Sequence, residues 1–145
     1  MGDLCWHLKY SDPPKALEYG HQSIQISKKN GYQALQAYAS NNVGVVFWAK
    51  SDYDSAVYYL DKTRALYSSL DNERGVAVTS VNLGLILQNK GEYDASLEYQ
   101  LEALRIVTKL DDQGLKGSVL TNIGNVHFLN ENFDKAKAYY FDALR

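Results

Sequence analysis

Residues 82–99 read NLGLILQNKGEYDASLEY, and the landmarks of this stretch recur at equal spacing before and after it in the 145-residue chain. An asparagine, an apolar residue and a glycine stand together at 42–44, 82–84 and 122–124. An aromatic residue followed by aspartate stands at 53–54, 93–94 and 133–134, and a tyrosine stands at 59, 99 and 139. Agreement at this many positions indicates an internal repeat with a period of about 40 residues.

Each repeat is predicted to form two α-helices joined by short polar connections. Apolar residues follow helical spacing on both sides of the polar break Asn89-Lys90-Gly91-Glu92. No window shows the two-residue alternation and the flanking turn residues of a β-strand. Because connections this short make consecutive helices antiparallel, the sequence predicts an all-α fold of antiparallel helix hairpins.

The repeat register also predicts where each unit begins and ends. A partial repeat is expected at 12–30, followed by repeats at about 34–71, 74–111 and 114–145. Pro13 and Pro14 suit the first turn of a helix, where no backbone N–H is needed. Since the chain starts and ends out of phase with its own unit, we expect residues 1–145 to be a single domain taken from a longer array.

The three glycines of the repeat predict where two helices approach each other. A glycine inside a helix costs about 1 kcal/mol relative to alanine, so its recurrence needs a reason. We expect a partner helix to lie close to Gly44, Gly84 and Gly124. The small residues Ala56, Ser96 and Ala136 are predicted to form the other side of that contact.

The triplet Asn82-Leu83-Gly84 followed by Gly91-Glu92-Tyr93-Asp94 resembles the tetratricopeptide repeat. The usual unit of that family is shorter, at about 34 residues. A longer variant with the period seen here occurs in kinesin light chain, in spindle-orientation adaptors and in bacterial Rap-type regulators. HEAT and armadillo repeats have a similar length but lack this signature. The resemblance covers essentially the whole chain, and it implies hairpins stacked in a right-handed superhelical solenoid, like the arrays of bacterial signalling proteins.

The resemblance also implies a binding face. In peptide-binding members of the family, the asparagine two places before the glycine faces a concave groove and holds the backbone of the partner. The corresponding residues here are Asn42, Asn82 and Asn122. Further residues expected on this peptide-binding face follow at three-residue steps, namely Val45, Leu85, Asn125, Trp48, Gln88 and Phe128. The alternative is that the asparagines only organise helix packing and that the aromatic residues belong to the core.

Several other kinds of site find no support in the sequence. The formal net charge of −2 gives no basic field for nucleic acid, and no apolar stretch is long enough to span a bilayer. The three histidines and the single cysteine, Cys5, form no metal-binding or nucleophile–base motif. His127 is interpreted as a packed histidine that replaces an aromatic residue. We therefore expect no catalytic residues, no metal, no cofactor and no direct membrane contact.

Two functions remain open at this level. The first is a scaffold that binds a peptide or a partner domain in its groove, as the sensory or regulatory part of a larger signalling protein. The second is a structural spacer or a self-association module, in which apolar surface at the terminal repeats forms a homo-oligomer. The sequence does not distinguish a cytoplasmic from an extracytoplasmic location.

Overall fold

The computed structural model describes residues 2–145, and it describes side chains from Cys5 onward. Within that range the chain forms eight α-helices and no β-strand. Their bounds are α1 Gly2–Leu8, α2 Pro13–Lys29, α3 Gln33–Ala49, α4 Tyr53–Ser69, α5 Glu73–Lys90, α6 Tyr93–Lys109, α7 Gln113–Leu129 and α8 Phe133–Ala143. The predicted all-α class of helix hairpins is confirmed. We call α3, α5 and α7 the first helices, and α4, α6 and α8 the second helices.

The connections between helices have a common backbone conformation. Each of the six turns between α2 and α8 contains a residue with positive φ, which ends the helix and reverses the chain. After the first helices these residues are Ser51, Gly91 and Glu131, with φ of 61°, 79° and 61°. After the second helices they are Gly31, Asp71 and Asp111, with φ of 71°, 54° and 54°. The turn geometry therefore repeats even where glycine does not.

Side-chain caps fix the start of several helices. The carboxylates of Asp52 and Asp112 accept hydrogen bonds from the backbone N–H groups of Ser55 (3.2 Å) and Leu115 (3.1 Å). Asp12 caps α2 in the same way through the N–H of Lys15 (3.2 Å). An N-cap of this kind stabilises a helix by about 1 kcal/mol.

The chain divides into two compact units, one of residues 1–75 (unit 1) and one of residues 76–145 (unit 2). Unit 1 holds α1 to α4 and has a core around Cys5, Ala16 and Val46. Its α3–α4 hairpin closes where Leu60, fully buried, lies on Gly44. A methyl group at Gly44 would lie 3.0 Å from Leu60 Cγ, so glycine is needed for this approach.

Unit 2 holds most of α5 and all of α6 to α8. Its core cluster joins Val81 of α5, Ala103 of α6, and Val119 and Ile123 of α7. Because these residues are buried together, the first helices α5 and α7 share a core with the second helix between them. A methyl group at Gly84 would meet the Gln100 side chain.

The predicted contact between the repeat glycines and the small residues is found at two of the three repeats, and at Gly44 a methyl group would lie 3.4 Å from the Ala56 carbonyl oxygen. Ser96 does contact Gly84, since its hydroxyl donates to the Gly84 carbonyl oxygen at 2.6 Å. The side chains that lie directly over the three glycines, however, are Leu60, Gln100 and Tyr140, each at the same register of the helix that follows. The small residues at 56, 96 and 136 allow the backbone of the second helix to lie close to the first helix. The residue four places later in the second helix fills the space above the glycine.

Candidate functional site

The predicted asparagine positions differ in burial between the two units. In unit 1, Asn42 is only 2% exposed and makes a polar contact inside the protein. Val45 and Trp48, which follow on the same side of α3, are half-buried. Asn42 therefore has the burial expected of a residue that organises packing, while Val45 and Trp48 still reach the surface.

In unit 2, the asparagines of this repeat register are more exposed to solvent than Asn42. Asn82, Leu85 and Gln88 of α5 are half-buried, and so are Asn122 and Asn125 of α7. Residues three apart lie on one side of a helix, so the three α5 positions form a strip, as do Asn122 and Asn125. Since α5 and α7 contribute to one core cluster, unit 2 carries two such strips on neighbouring helices.

Two of the predicted residues on α7 are tied to α8. The Tyr140 hydroxyl donates a hydrogen bond to Asn125 Oδ1 at 2.8 Å. The ring of Phe128 packs edge to face against Phe133, with 5.4 Å between centroids and an interplanar angle of 68°. Phe128 is thus part of a surface formed with α8. Tyr140 was missed by the sequence reading because its register holds a different residue type in each repeat.

Buried amides distinguish the α5–α6 hairpin. Gln100 is fully buried, and its Nε2 group donates to the Val81 carbonyl oxygen at 3.2 Å. The side-chain oxygens of Gln100 and Gln88 are both enclosed and receive no hydrogen bond from the described residues. A buried acceptor left in this state costs about 1–3 kcal/mol. The hairpin therefore contains polar atoms whose bonding capacity the surrounding side chains do not use.

His127 occupies the register predicted for a packed aromatic residue. It is buried and its ring stacks on Tyr139, with 5.4 Å between centroids and an interplanar angle of 16°. Phe47 stacks on Tyr59 in the same way in unit 1, at 5.5 Å and 11°. Burial lowers the pKa of His127, and the positive charge of Lys135 lowers it further. The imidazole is therefore held neutral as part of the packing.

Three observations on the described part of the chain bear on metal, nucleophile and membrane sites. Among these residues, no three histidine, cysteine, aspartate or glutamate side chains come together as a metal site. Burial raises the pKa of the Cys5 thiol, which keeps it protonated and weakly nucleophilic. None of the described helices is long and apolar enough to cross a membrane.

Comparisons with known proteins agree with this geometry. Residues 75–145 match the family model of the tetratricopeptide repeat. BtubC (BKLC) from P. vanneervenii superposes with a TM-score of 0.87 at 24% identity, over 99% of this chain and 62% of that one. Aspartyl phosphate phosphatase F from Bacillus subtilis gives a TM-score of 0.87 at 15% identity, over 99% of this chain and 39% of that one.

A kinesin light chain from Podosopora anserina, with nearly identical TPR-like repeats, gives a TM-score of 0.82 at 13% identity over 98% of this chain and 71% of that one. No curated protein matches the sequence. This chain thus spans less than two thirds of the first two structures. The chain has the fold of a helical-repeat protein of the tetratricopeptide type, and the match to the family model itself covers residues 75–145.

Proposed function

We propose that the chain is a protein–protein interaction scaffold that binds a peptide or a partner domain on its first helices. Two observations support the proposal: the chain has the tetratricopeptide-type fold, and residues 75–145 match the tetratricopeptide family model. The scaffold is proposed to be the sensory or regulatory part of a larger signalling protein. We propose no enzymatic activity, no cofactor and no nucleic-acid partner.

The observation that carries the proposal is the pair Asn82 and Asn122. Both are half-buried, both stand at one register of the repeat, and their helices share a core. A side-chain amide offers a donor and an acceptor, which matches the N–H and C=O of one peptide unit of an extended segment. Two amides on neighbouring helices would hold two points of the same backbone.

The residues beside the asparagines suggest what the bound segment looks like. Leu85 adds an apolar contact on α5, and Gln88 lies on the same side of that helix with its side-chain oxygen enclosed. A partner with an apolar side chain between polar backbone contacts suits this arrangement. In unit 1, Val45 and Trp48 would offer apolar contact, while Asn42 is too buried to bind a partner without local rearrangement.

The relatives supply a coarser argument for signalling. One of the matching structures is an aspartyl phosphate phosphatase by name, and this chain spans 39% of it. We propose that in this chain the shared fold serves partner recognition. The phosphatase activity in that name is not part of the proposal for this chain.

Self-association is the second candidate function, and one observation favours it. Phe133, Phe141 and Leu144 of the α7–α8 hairpin are each more than half exposed, which is unusual for large apolar side chains. A spacer or self-association module would use this surface to hold copies of the chain together. Its mass in solution, measured by light scattering, would then be a multiple of the 16.3 kDa of one chain.

Peptide-library panning tests the first proposal. We expect a family of related peptides to bind the wild-type chain saturably, and the double variant Asn82→Ala/Asn122→Ala to bind them at least about tenfold more weakly. Such a loss corresponds to about 1.4 kcal/mol or more in binding free energy. Circular dichroism must show that the variant remains helical.

The matched control is Asn89→Ala/Asn130→Ala. Asn89 lies near the end of α5 and Asn130 directly follows α7, and both are exposed. These changes also remove two asparagine side chains from α5 and the end of α7, but at positions outside the proposed strips. If both double variants bind the selected peptides equally well, the asparagine strips are not the binding site.

A further inference from the structure

The α7–α8 hairpin fixes the direction of one amide in the proposed asparagine strips. The Tyr140 hydroxyl donates a hydrogen bond to Asn125 Oδ1 at 2.8 Å, and the Tyr140 ring is held in place directly over Gly124. An asparagine amide has an oxygen that accepts hydrogen bonds and a nitrogen that only donates them. Because the oxygen is turned toward Tyr140, the nitrogen is the atom of this amide that is left to meet a partner.

This polar pair distinguishes the α7–α8 hairpin from the two hairpins before it. At the register of Asn125, α3 has Val45 and α5 has Leu85, and neither side chain can accept a hydrogen bond. An asparagine at this half-buried register gives up apolar packing, and its bond to Tyr140 uses only the oxygen of the amide. Closing the hairpin therefore does not by itself account for an amide at this position.

The register of Asn125 stays accessible where another hairpin follows. Leu85 stands at this register on α5 and is half-buried, although α7 packs on the same core cluster as α5. A following hairpin thus leaves this side of a first helix open to solvent. Asn122 lies three residues before Asn125 on the same side of α7. A segment bound at Asn122 would therefore lie close to Asn125 as well.

A second amide of the strips has the same polarity. Gln88 of α5 is half-buried, but its side-chain oxygen is enclosed by the protein. That oxygen cannot meet a partner, so the amide of Gln88 can offer only its N–H groups. One amide on α5 and one on α7 thus present donors and withhold their acceptors.

We propose that Asn125 acts only as a hydrogen-bond donor toward the bound segment, and that Tyr140 is the positioning residue that makes it so. This inference rests on the proposed function, because it concerns the segment that binds the asparagine strips. A segment held at Asn122 must place an oxygen acceptor opposite Asn125, since a donor there would face N–H groups. The acceptor is the carbonyl oxygen of the backbone or an oxygen of an acidic or amide side chain.

Nuclear magnetic resonance of the isotope-labelled chain tests the direction of the amide without any ligand. We expect the Nδ2 protons of Asn125 to exchange readily with solvent and to show no strong nuclear Overhauser effect to the ring protons of Tyr140. Slow exchange together with a strong effect would mean that the nitrogen faces the hydroxyl, and would overturn the inference.

Panning one phage-displayed library of random peptides on the wild type and on Asn125→Asp tests what this direction selects. The aspartate keeps an oxygen for the Tyr140 hydroxyl but replaces the donor nitrogen by a second oxygen. We expect Asn125→Asp to bind the peptides selected on the wild type at least about tenfold more weakly in fluorescence anisotropy. Panned by itself, Asn125→Asp should select peptides with a lysine or arginine that the wild-type peptides lack.

Tyr140→Phe tests the positioning role, because it keeps the ring over Gly124 and removes only the hydroxyl. The amide of Asn125 is then free to turn, so the fraction of molecules with the donor outward falls. Affinity for the wild-type peptides should fall at least about twofold. The matched control is Asn130→Asp, which adds the same charge at an exposed position directly after α7 and should leave the affinity unchanged. Circular dichroism must show that all variants remain helical.

Double-mutant cycles identify the source of the acceptor. If replacing one acidic or amide residue of a selected peptide by alanine cancels the effect of Asn125→Asp, that side chain is the acceptor. If no peptide side chain is coupled to Asn125 while the tenfold loss persists, the acceptor is a backbone carbonyl. Both results support the inference.

Three binding results would overturn the inference. Equal affinity of the wild type and Asn125→Asp would mean that no acceptor faces Asn125, and tighter binding by Asn125→Asp would mean that a donor does. Unchanged affinity and selectivity of Tyr140→Phe would mean that the hydroxyl does not position the amide. In each case, peptides whose binding still depends on Asn82 and Asn122 leave the proposed function intact. A wild-type chain that selects no peptide at all would refute both.

Discussion

The α3–α4 hairpin of unit 1 and the α7–α8 hairpin of unit 2 use the same register but different side chains. Leu60 fills the space above Gly44, whereas Tyr140 fills the space above Gly124. Tyr140 also donates a hydrogen bond to Asn125, at a register where α3 has Val45. The unit 1 hairpin is thus closed by apolar packing, and the unit 2 hairpin by a combination of packing and polar contacts.

The stacked ring pairs show the same contrast. Phe47 stacks on Tyr59 in unit 1, and His127 stacks on Tyr139 in unit 2, with nearly equal centroid distances. The geometry of the repeat is therefore maintained along the chain while its chemistry changes. Apolar burial is insensitive to pH, but a buried imidazole is not. The two hairpins should consequently respond differently to mutation and to acid.

The largest expected effect is that of Leu60→Ala in the apolar hairpin. Removing a fully buried leucine side chain should lower the free energy of unfolding by about 2–5 kcal/mol. Both tryptophans, Trp6 and Trp48, lie in unit 1, so tryptophan fluorescence during urea unfolding reports on this unit. Leu66→Ala, at a half-buried position of the same helix, should cost less. Equal losses for the two variants would contradict the central role of Leu60.

The second expected effect is a pH dependence of stability that follows the histidine when it is removed from one hairpin or introduced into the other. His127 has a lowered pKa in the folded chain, so the unfolded chain binds more protons below the ordinary value of 6.5. The stability that neutral His127 contributes is complete above that value and is lost as the pH falls below it. The protection of backbone amides in α7 and α8 against hydrogen exchange, corrected for the intrinsic exchange rate at each pH, should accordingly fall in acid more for the wild type than for His127→Phe.

The reciprocal variant sharpens the same comparison. Phe47→His places an imidazole in the stack with Tyr59, in the position that His127 occupies beside Tyr139. Its tryptophan-monitored stability should fall in acid more steeply than that of the wild type. If neither variant changes the acid response, the stacked register does not control the pH dependence of either hairpin.

Much of the fold could be predicted from the sequence because its determinants recur. The Asn-apolar-Gly triplets and the aromatic-Asp pairs mark helix positions that the structure repeats at the same spacing. The residues above the glycines could not be found in this way, since Leu60, Gln100 and Tyr140 share a position but no residue type. A space beside a glycine can be filled by any side chain of suitable length, so no pattern identifies it.

The sequence could predict which positions belong to the candidate site, but it could not predict which of them are exposed. The register that holds Asn42, Asn82 and Asn122 is the same in each repeat, but its exposure depends on the neighbouring side chains. Asn42 is buried and Asn82 is half-buried, although a serine stands two places before each and a glycine two places after. Burial is set by tertiary packing, which a one-dimensional repeat does not encode at a single position.

A third effect, of intermediate size, is expected from making unit 2 resemble unit 1. Gln100→Leu places at the α5–α6 hairpin the residue that unit 1 has at position 60. The change gives up one hydrogen bond to Val81 but removes a buried acceptor without a partner, and we expect a net gain of about 1 kcal/mol in the free energy of unfolding. Urea unfolding followed by circular dichroism measures it. A loss of similar size would show that the Gln100 amide is fully satisfied in solution.

The smallest expected effect lies in the turns, where the two hairpins do not differ. Ser51 of unit 1 and Glu131 of unit 2 both have φ of 61°, and Gly91 has φ of 79° at the same register. Replacing an L-residue by glycine at positive φ relieves steric strain but adds entropy to the unfolded chain, so Ser51→Gly and Glu131→Gly should each gain roughly 0.5–1 kcal/mol. The converse change, Gly91→Ala, should destabilise by about 1 kcal/mol. Equal gains in the two units, measured by urea unfolding, would assign the difference between the hairpins to their interiors. If only one of the two variants gains stability, the turns have the same φ but differ in the steric strain at that residue.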